Sequence, residues 1–170
     1  PGTHVITQPV MDELMDSAGW TVSGLLRTRS SRSPQAIAQW QLAPDGQWIA
    51  STWSDYCKAV ASLAGRFRKL GLANGDRVGI MAASGKEWDY AQLGILAAGG
   101  VAIGLDPHGL DEHTQEIARL CSFSGVVLAN PALLEKLGDE ARRKLRFIVS
   151  IEPCTETGVA ALDALIDDEF

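Results

Sequence analysis

The chain has 170 residues, 46% of them apolar and 21% charged, and a net charge of −6, a composition ordinary for one soluble globular domain with a core. The acidic balance and the lack of any Lys/Arg cluster exclude a nucleic-acid binder, and Arg142-Arg143-Lys144 reads as the solvated end of a helix. No apolar stretch approaches the roughly 20 residues of a membrane-spanning helix, and the first residues lack the basic-then-apolar layout of a signal peptide, so a cytoplasmic location is expected.

Residues 1–19 read as a mobile lead-in with a short helical patch around Val10–Met15. Val22 to Arg29 suits a helix ahead of the polar Ser30–Pro34 turn. Ala36–Leu42 and Gln47–Ser51 are β-prone runs joined by Pro44-Asp45-Gly46, which predicts a hairpin. Thr52 and Asp55 then form a capping box, and Trp53, Tyr56, Val60, Leu63, Ala64, Phe67 and Leu70 recur every three or four residues as one helical face. Arg68 and Lys69 suit the negative end of that helix, and Gly71 its C-cap.

Asn74-Gly75-Asp76 turns the chain into an apolar strand, Val78–Ala83. A second capping box, Ser84-Gly85-Lys86-Glu87, opens a helix through Trp88, Ala91, Ile95 and Ala98, which Gly99-Gly100 ends. The spacing then predicts strand Val101–Leu105, a helix over 111–122, strand Gly125–Ala129, a helix from Pro131 through Leu137 and another over 139–145. Strand Phe147–Ile151 and a last helix, Val159–Ile166, complete the pattern. Strands alternating with helices imply right-handed crossovers, hence an α/β fold whose mainly parallel sheet is flanked by helices, with the β-hairpin near the N-terminus.

Candidate chemistry is sparse. Gly79-Ile80-Met81-Ala82-Ala83-Ser84-Gly85-Lys86 approaches a phosphate-binding loop, but its spacer is one residue too long. Glu87 also replaces the hydroxyl that would reach magnesium, so helix capping explains it better. Gly99-Gly100 and Gly104 lie between a helix and a strand, the reverse of the dinucleotide fingerprint, and read as structural. Asp106, His108, Asp111, Glu112 and His113 crowd one loop, yet turn chemistry and a helix N-terminus account for them better than a metal does.

Trp53 and Trp88 fall on core faces. Cys57, Cys121 and Cys154 form no C-x-x-C pair, and the first two suit small buried thiols in a reducing compartment. No Ser–His–carboxylate set can be assembled.

The order T-W-S-D-Y from Thr52, a helix, L-G-L-A-N-G-D-R-V-G-I-M, E-W, then L-A-A-G-G-V-A-I-G-L-D-P resembles the N-terminal region of AMP-forming acyl-CoA synthetases. The likeness extends through Ser122–Leu128 and Leu145–Val149, and Asp45-Gly46-Gln47-Trp48 ahead of it looks most like the long-chain fatty-acyl branch. The resemblance implies that residues 20–170 form an N-terminal subdomain of the AMP-binding large domain.

It also implies a two-step reaction, in which fatty acid and ATP give an acyl-adenylate and pyrophosphate, and the thiol of CoA then gives the thioester. The Gly/Ser/Thr-rich phosphate loop and its Lys, the acid for Mg²⁺, the ribose-binding Asp and a C-terminal Lys do not occur in these residues. No catalytic, cofactor-binding or metal residue is therefore assigned here. ATP, Mg²⁺ and CoA belong to the whole enzyme, this chain is expected to be an inactive scaffold, and homodimerisation through uncovered apolar faces is a further expectation. The rival reading is a free-standing, non-catalytic α/β binding module.

Overall fold

A computed structural model of the chain describes residues 11–13, 15, 16, 19, 21–43 and 45–166. Residues 11–13, 15 and 16 are helical and Gly19 is in a turn, while the other residues of the expected lead-in, Val10 and Leu14 among them, lie outside the described residues. The chain divides into two compact units, residues 1–57 and 58–170.

In the first unit, α1 (Val22–Arg32) starts at Thr21, whose hydroxyl accepts the Gly24 N–H at 2.9 Å. Strands β1 (Ile37–Leu42) and β2 (Trp48–Thr52) pair antiparallel, with a register shift between Ile37 and Gln39. Asp45 and Gly46 make their turn: Gly46 N–H donates to the Ala43 carbonyl and Gln47 N–H to Asp45 Oδ1. Pro44 lies outside the described residues.

The predicted capping box forms at the start of α2 (Trp53–Lys69). Asp55 N–H donates to Thr52 Oγ1 and Thr52 N–H to Asp55 Oδ2, each at 3.2 Å, which satisfies two amides left open by the first turn. Trp53, expected in a core, is half-buried instead, with the Arg29 guanidinium 5.4 Å from its ring centroid and Tyr56 against it at 5.9 Å.

The second unit is a five-stranded parallel sheet in the order β4-β3-β5-β6-β7. Its strands are β3 (Arg77–Met81), β4 (Val101–Leu105), β5 (Gly125–Leu128), β6 (Phe147–Ser150) and β7 (Val159–Ala161). The chain leaves β3 through α3 (Lys86–Ala97) to β4 on one side, then returns through α4 (Asp111–Cys121) to β5 on the other. Right-handed crossovers in opposite directions must use opposite faces of the sheet.

One face accordingly carries α2 and α3, and there Phe67 of α2 meets the Phe147 ring of β6 with centroids 5.9 Å apart. The other carries α4, a 3₁₀ helix (Pro131–Leu137) and α5 (Gly138–Arg142), over Met81, Leu105, Phe123, Val126 and Leu128. Val78, Ile80 and Met81 are wholly inaccessible, so β3 is covered on both sides. Each such side chain contributes about 1.5–3 kcal/mol relative to exposure.

Further expectations change. The segment after Asn130 winds as a 3₁₀ helix rather than an α-helix. Residues 159–161 form β7 and leave only Leu162–Leu165 as α6, because the open edge of β6 needs partners and β-branched Val159 meets Ile148 there. Cys57 and Cys121, expected as buried thiols, are free but half-buried, as is Cys154.

Gly94 lets α3 lie close on α2, since a Cβ there would stand 2.8 Å from Leu63 Cβ and 3.2 Å from the Phe67 ring. Gly94→Ala should therefore lower stability in urea melts by about 1–2 kcal/mol through overpacking. That sign opposes the roughly 1 kcal/mol that Ala gains over Gly in an unconstrained helix. A neutral or stabilised variant would show that the two helices can separate freely.

Candidate functional site

Open doubly wound sheets take ligands outside the carboxyl ends of their strands, where the strand order reverses. The reversal here is at β3, between β4 and β5, so the candidate site is the rim formed by residues 82–85, 106–110 and 129–130.

The first rim segment bends at residues 82, 84 and 85, and Gly85 itself has an extended backbone with φ 174°. Gly85 stands at the N-cap of α3 and no side chain caps that helix, so the predicted Ser84–Glu87 box does not form. With Gly85 at the N-cap, Ser84 is one residue too far upstream for its hydroxyl to reach the first-turn amides. Lys86 turns back over the Tyr90 ring, 5.6 Å from its centroid. Glu87 and Asp89 occupy the first turn, and burial pushes the Asp89 carboxyl above its ordinary value. A Lys held on an aromatic ring and two carboxyls in the first helical turn do not fit the phosphates of a nucleotide.

The second segment is held by its own turn. Asp106 Oδ1 accepts the His108 N–H at 2.8 Å, and Lys136 Nζ donates to the Gly109 carbonyl at 2.9 Å and to Asp111 Oδ1 at 2.7 Å. Lys136 thus ties the β4–α4 loop to the 3₁₀ helix that follows β5. Nothing local in the sequence marks it, because its partner Asp111 lies 25 residues away. Asp106 and Asp111 are engaged in these bonds, and among the described residues no three His, Cys, Asp or Glu side chains meet in a group that could hold a metal. Glu112 and His113 stand exposed on the first turn of α4.

At the opposite end of the sheet the glycine turns close on each other. Gly75 (φ +81°) donates its N–H to the Gly99 carbonyl at 2.8 Å, which gives the paired glycines their structural role. Burial of Asp76 disfavours its charge. Hydrogen bonds from the Ala73 N–H, Ser124 and Arg146, together with the Arg146 charge, outweigh that and hold the carboxyl below its ordinary 3.8. This cluster joins the starts of β3, β5 and β6. Away from both ends, a groove of about 360 Å³ lies between α4 and α5. Its rim charges answer each other, Arg119 with Glu116 and Lys144 with Glu140, both at 2.7 Å.

Among the described residues, no helix is long and apolar enough to cross a membrane. A protein-family model described as AMP-binding enzyme matches residues 26–169. The long-chain-fatty-acid–CoA ligase ACSBG2 of Xenopus laevis is 31% identical over 91 residues, 54% of this chain and 12% of that protein. The long-chain-fatty-acid–CoA ligase ACSBG1 of Rattus norvegicus is 25% identical over 143 residues, 72% of this chain and 20% of that protein. The chain therefore spans a fifth or less of the length of these curated relatives. The acetoacetyl-CoA synthetase from Streptomyces lividans superposes with a TM-score of 0.72 at 19% identity, over 90% of this chain and 24% of that one. At that identity the likeness shows the fold alone.

The Asp76 cluster makes a pH-dependent prediction. A carboxyl held below its unfolded value contributes stability that is fully present above that value and is lost as pH falls through the folded one. Asp76→Asn should cost about 1 kcal/mol at neutral pH, a figure discounted for partial exposure. Its deficit relative to the wild type should shrink as pH drops below 3.8. Thermal midpoints at neutral pH and near about pH 3 check this, and a deficit that stays constant would place the effect elsewhere.

Proposed function

Because this chain belongs to the AMP-binding enzyme family, we propose that it is the N-terminal portion of an AMP-forming fatty-acid–CoA ligase. The whole enzyme would join a long-chain fatty acid to ATP, releasing pyrophosphate, and then pass the acyl group from AMP to the thiol of CoA. Mg²⁺ would accompany the ATP, and the setting would be cytoplasmic. The relatives that bear the long-chain-fatty-acid–CoA ligase name support the substrate class.

The match over residues 26–169 carries the reading. It coincides with a five-stranded parallel sheet whose candidate rim holds an Asp106 turn and a glycine N-cap rather than reacting groups. In this proposal residues 20–170 contribute one wall of the large domain. Charge stabilisation on the attacked phosphate needs fixed amides and cations, and these would come from other parts of the enzyme.

Two measurements test the reading. The purified 170-residue chain should fold and yet give no ATP–pyrophosphate exchange with long-chain fatty acids; clear exchange from pure protein would overturn the scaffold role. The encoding frame should also read on past Phe170 into a Gly/Ser/Thr-rich stretch followed by Lys. A stop codon directly after Phe170 would instead favour the free-standing module.

A further inference from the structure

The chain has two asparagines, Asn74 and Asn130, and only Asn74 precedes a residue able to attack it. Loss of an asparagine amide begins when the nitrogen of the next residue gives up its proton and bonds to the side-chain Cγ. Glycine suits this best, having no side chain to crowd the approach, whereas proline has no N–H to give up. Asn130 is followed by Pro131 and Asn74 by Gly75. Asn74 and Gly75 are both exposed in a turn.

The fold withholds what the reaction needs. Gly75 N–H is donated to the Gly99 carbonyl at 2.8 Å, so the proton of the nucleophile is engaged. Asp76 N–H donates to the Ala73 carbonyl at 3.1 Å, Gly75 has a φ of +81° and Asn74 has a negative φ, which together make a type II turn. Such a turn sets ψ of its second residue near about +120°. That swings the Gly75 nitrogen away from the Asn74 Cβ, and ring closure needs the two on the same side. Asp76 Oδ2 fixes the turn by accepting the Ala73 N–H at 2.6 Å. The Asn74 side chain lies on the facing turn, its Oδ1 2.5 Å from where a Cβ of Gly99 would stand. All these contacts lie within the second unit, so they hold whatever surrounds it.

We propose that Asn74 is a modification site gated by the fold, losing its amide only from molecules in which the Gly75–Gly99 bond has opened. The Gly75 nitrogen then bonds to Asn74 Cγ, the Cγ–Nδ2 bond breaks, and ammonia leaves with the proton, giving a succinimide. Water reopens the ring at either carbonyl. The product is an aspartate, or an isoaspartate that carries the side-chain methylene in the main chain. Either adds a carboxylate two residues from Asp76, and the isoaspartate also lengthens the turn, so that Gly75 no longer returns to Gly99. Opening at the amino end of the sheet is thereby recorded irreversibly.

The test holds the chain at mildly alkaline pH, native and in guanidinium, and follows Asn74 by peptide mass spectrometry beside hydrogen exchange at the Gly75 amide. Both reactions need that N–H released. Native deamidation is therefore expected to be slowed by at least the factor that protects the amide, about tenfold or more. Asp76→Ala, which loosens the turn, should speed both reactions about threefold or more, and subdenaturing guanidinium should raise both together in the wild type. Asn130 should stay intact throughout. An unprotected Gly75 amide overturns the proposal, as does an Asn74 amide that survives even in guanidinium. So does deamidation that is slowed less than exchange, or that fails to rise when exchange at Gly75 rises.

Discussion

The second unit is organised by one demand, that β3 be buried on both faces. A strand in that position has every polar backbone group paired along the sheet and must find apolar cover above and below. Its neighbours β4 and β5 supply the pairing. Because the chain reaches them by right-handed crossovers in opposite directions, α3 and α4 fall on opposite faces without further instruction. The remaining adjustments are of fit. Gly94 lets α3 approach α2, and Gly125 leaves room for the Phe147 ring, which a Cβ would enter. Without those vacancies the helices would stand off the sheet and β3 would lose its cover.

The two ends of the sheet are fastened by different means. At the amino end, Asp76 gathers the Ala73 amide, Ser124 and Arg146 onto one carboxylate, and the Gly75 and Gly99 turns share a backbone hydrogen bond. At the carboxyl end, Lys136 uses a carbonyl and a carboxylate to hold the β4–α4 loop against the 3₁₀ helix. Neither arrangement leaves a charged group free to act on a substrate. Both tie the ends of strands to the loops and turns beside them.

Legibility in the sequence followed the range of the forces. The Thr52–Asp55 box, the Gly71 C-cap and the apolar periodicity of α2 are local, and each sits where the spacing puts it. Ser84–Glu87 has the same spelling as a capping box and fails, because the path out of β3 keeps Gly85 extended. The residues at 159–161 read as a helix in isolation and become a strand because β6 has an edge to fill, which is information held some ten residues upstream. Trp88 matched a helical core face, yet it stands half-buried at the sheet edge over Gly104, since the edge position of β4 is a property of topology. Lys136 was invisible for the same reason: its partners are brought to it by the fold.

The same distinction explains how a family can be recognised from scaffold residues. Reacting groups such as a phosphate-loop Lys are few and can lie anywhere the fold brings them together. Turn glycines, caps and doubly covered strands are many, are spaced by geometry, and tolerate little displacement before the core opens. The stretch from Thr52 to Asp106 is built from the second kind. Gly99 needs its left-handed φ of +92°, and a Cβ at Gly100 would meet Ile95 at 3.0 Å and Leu72 at 3.2 Å. Those constraints act on the scaffold whatever reaction is run beside it. A match here reports shared architecture, and activity has to be argued from a site rather than from the fold.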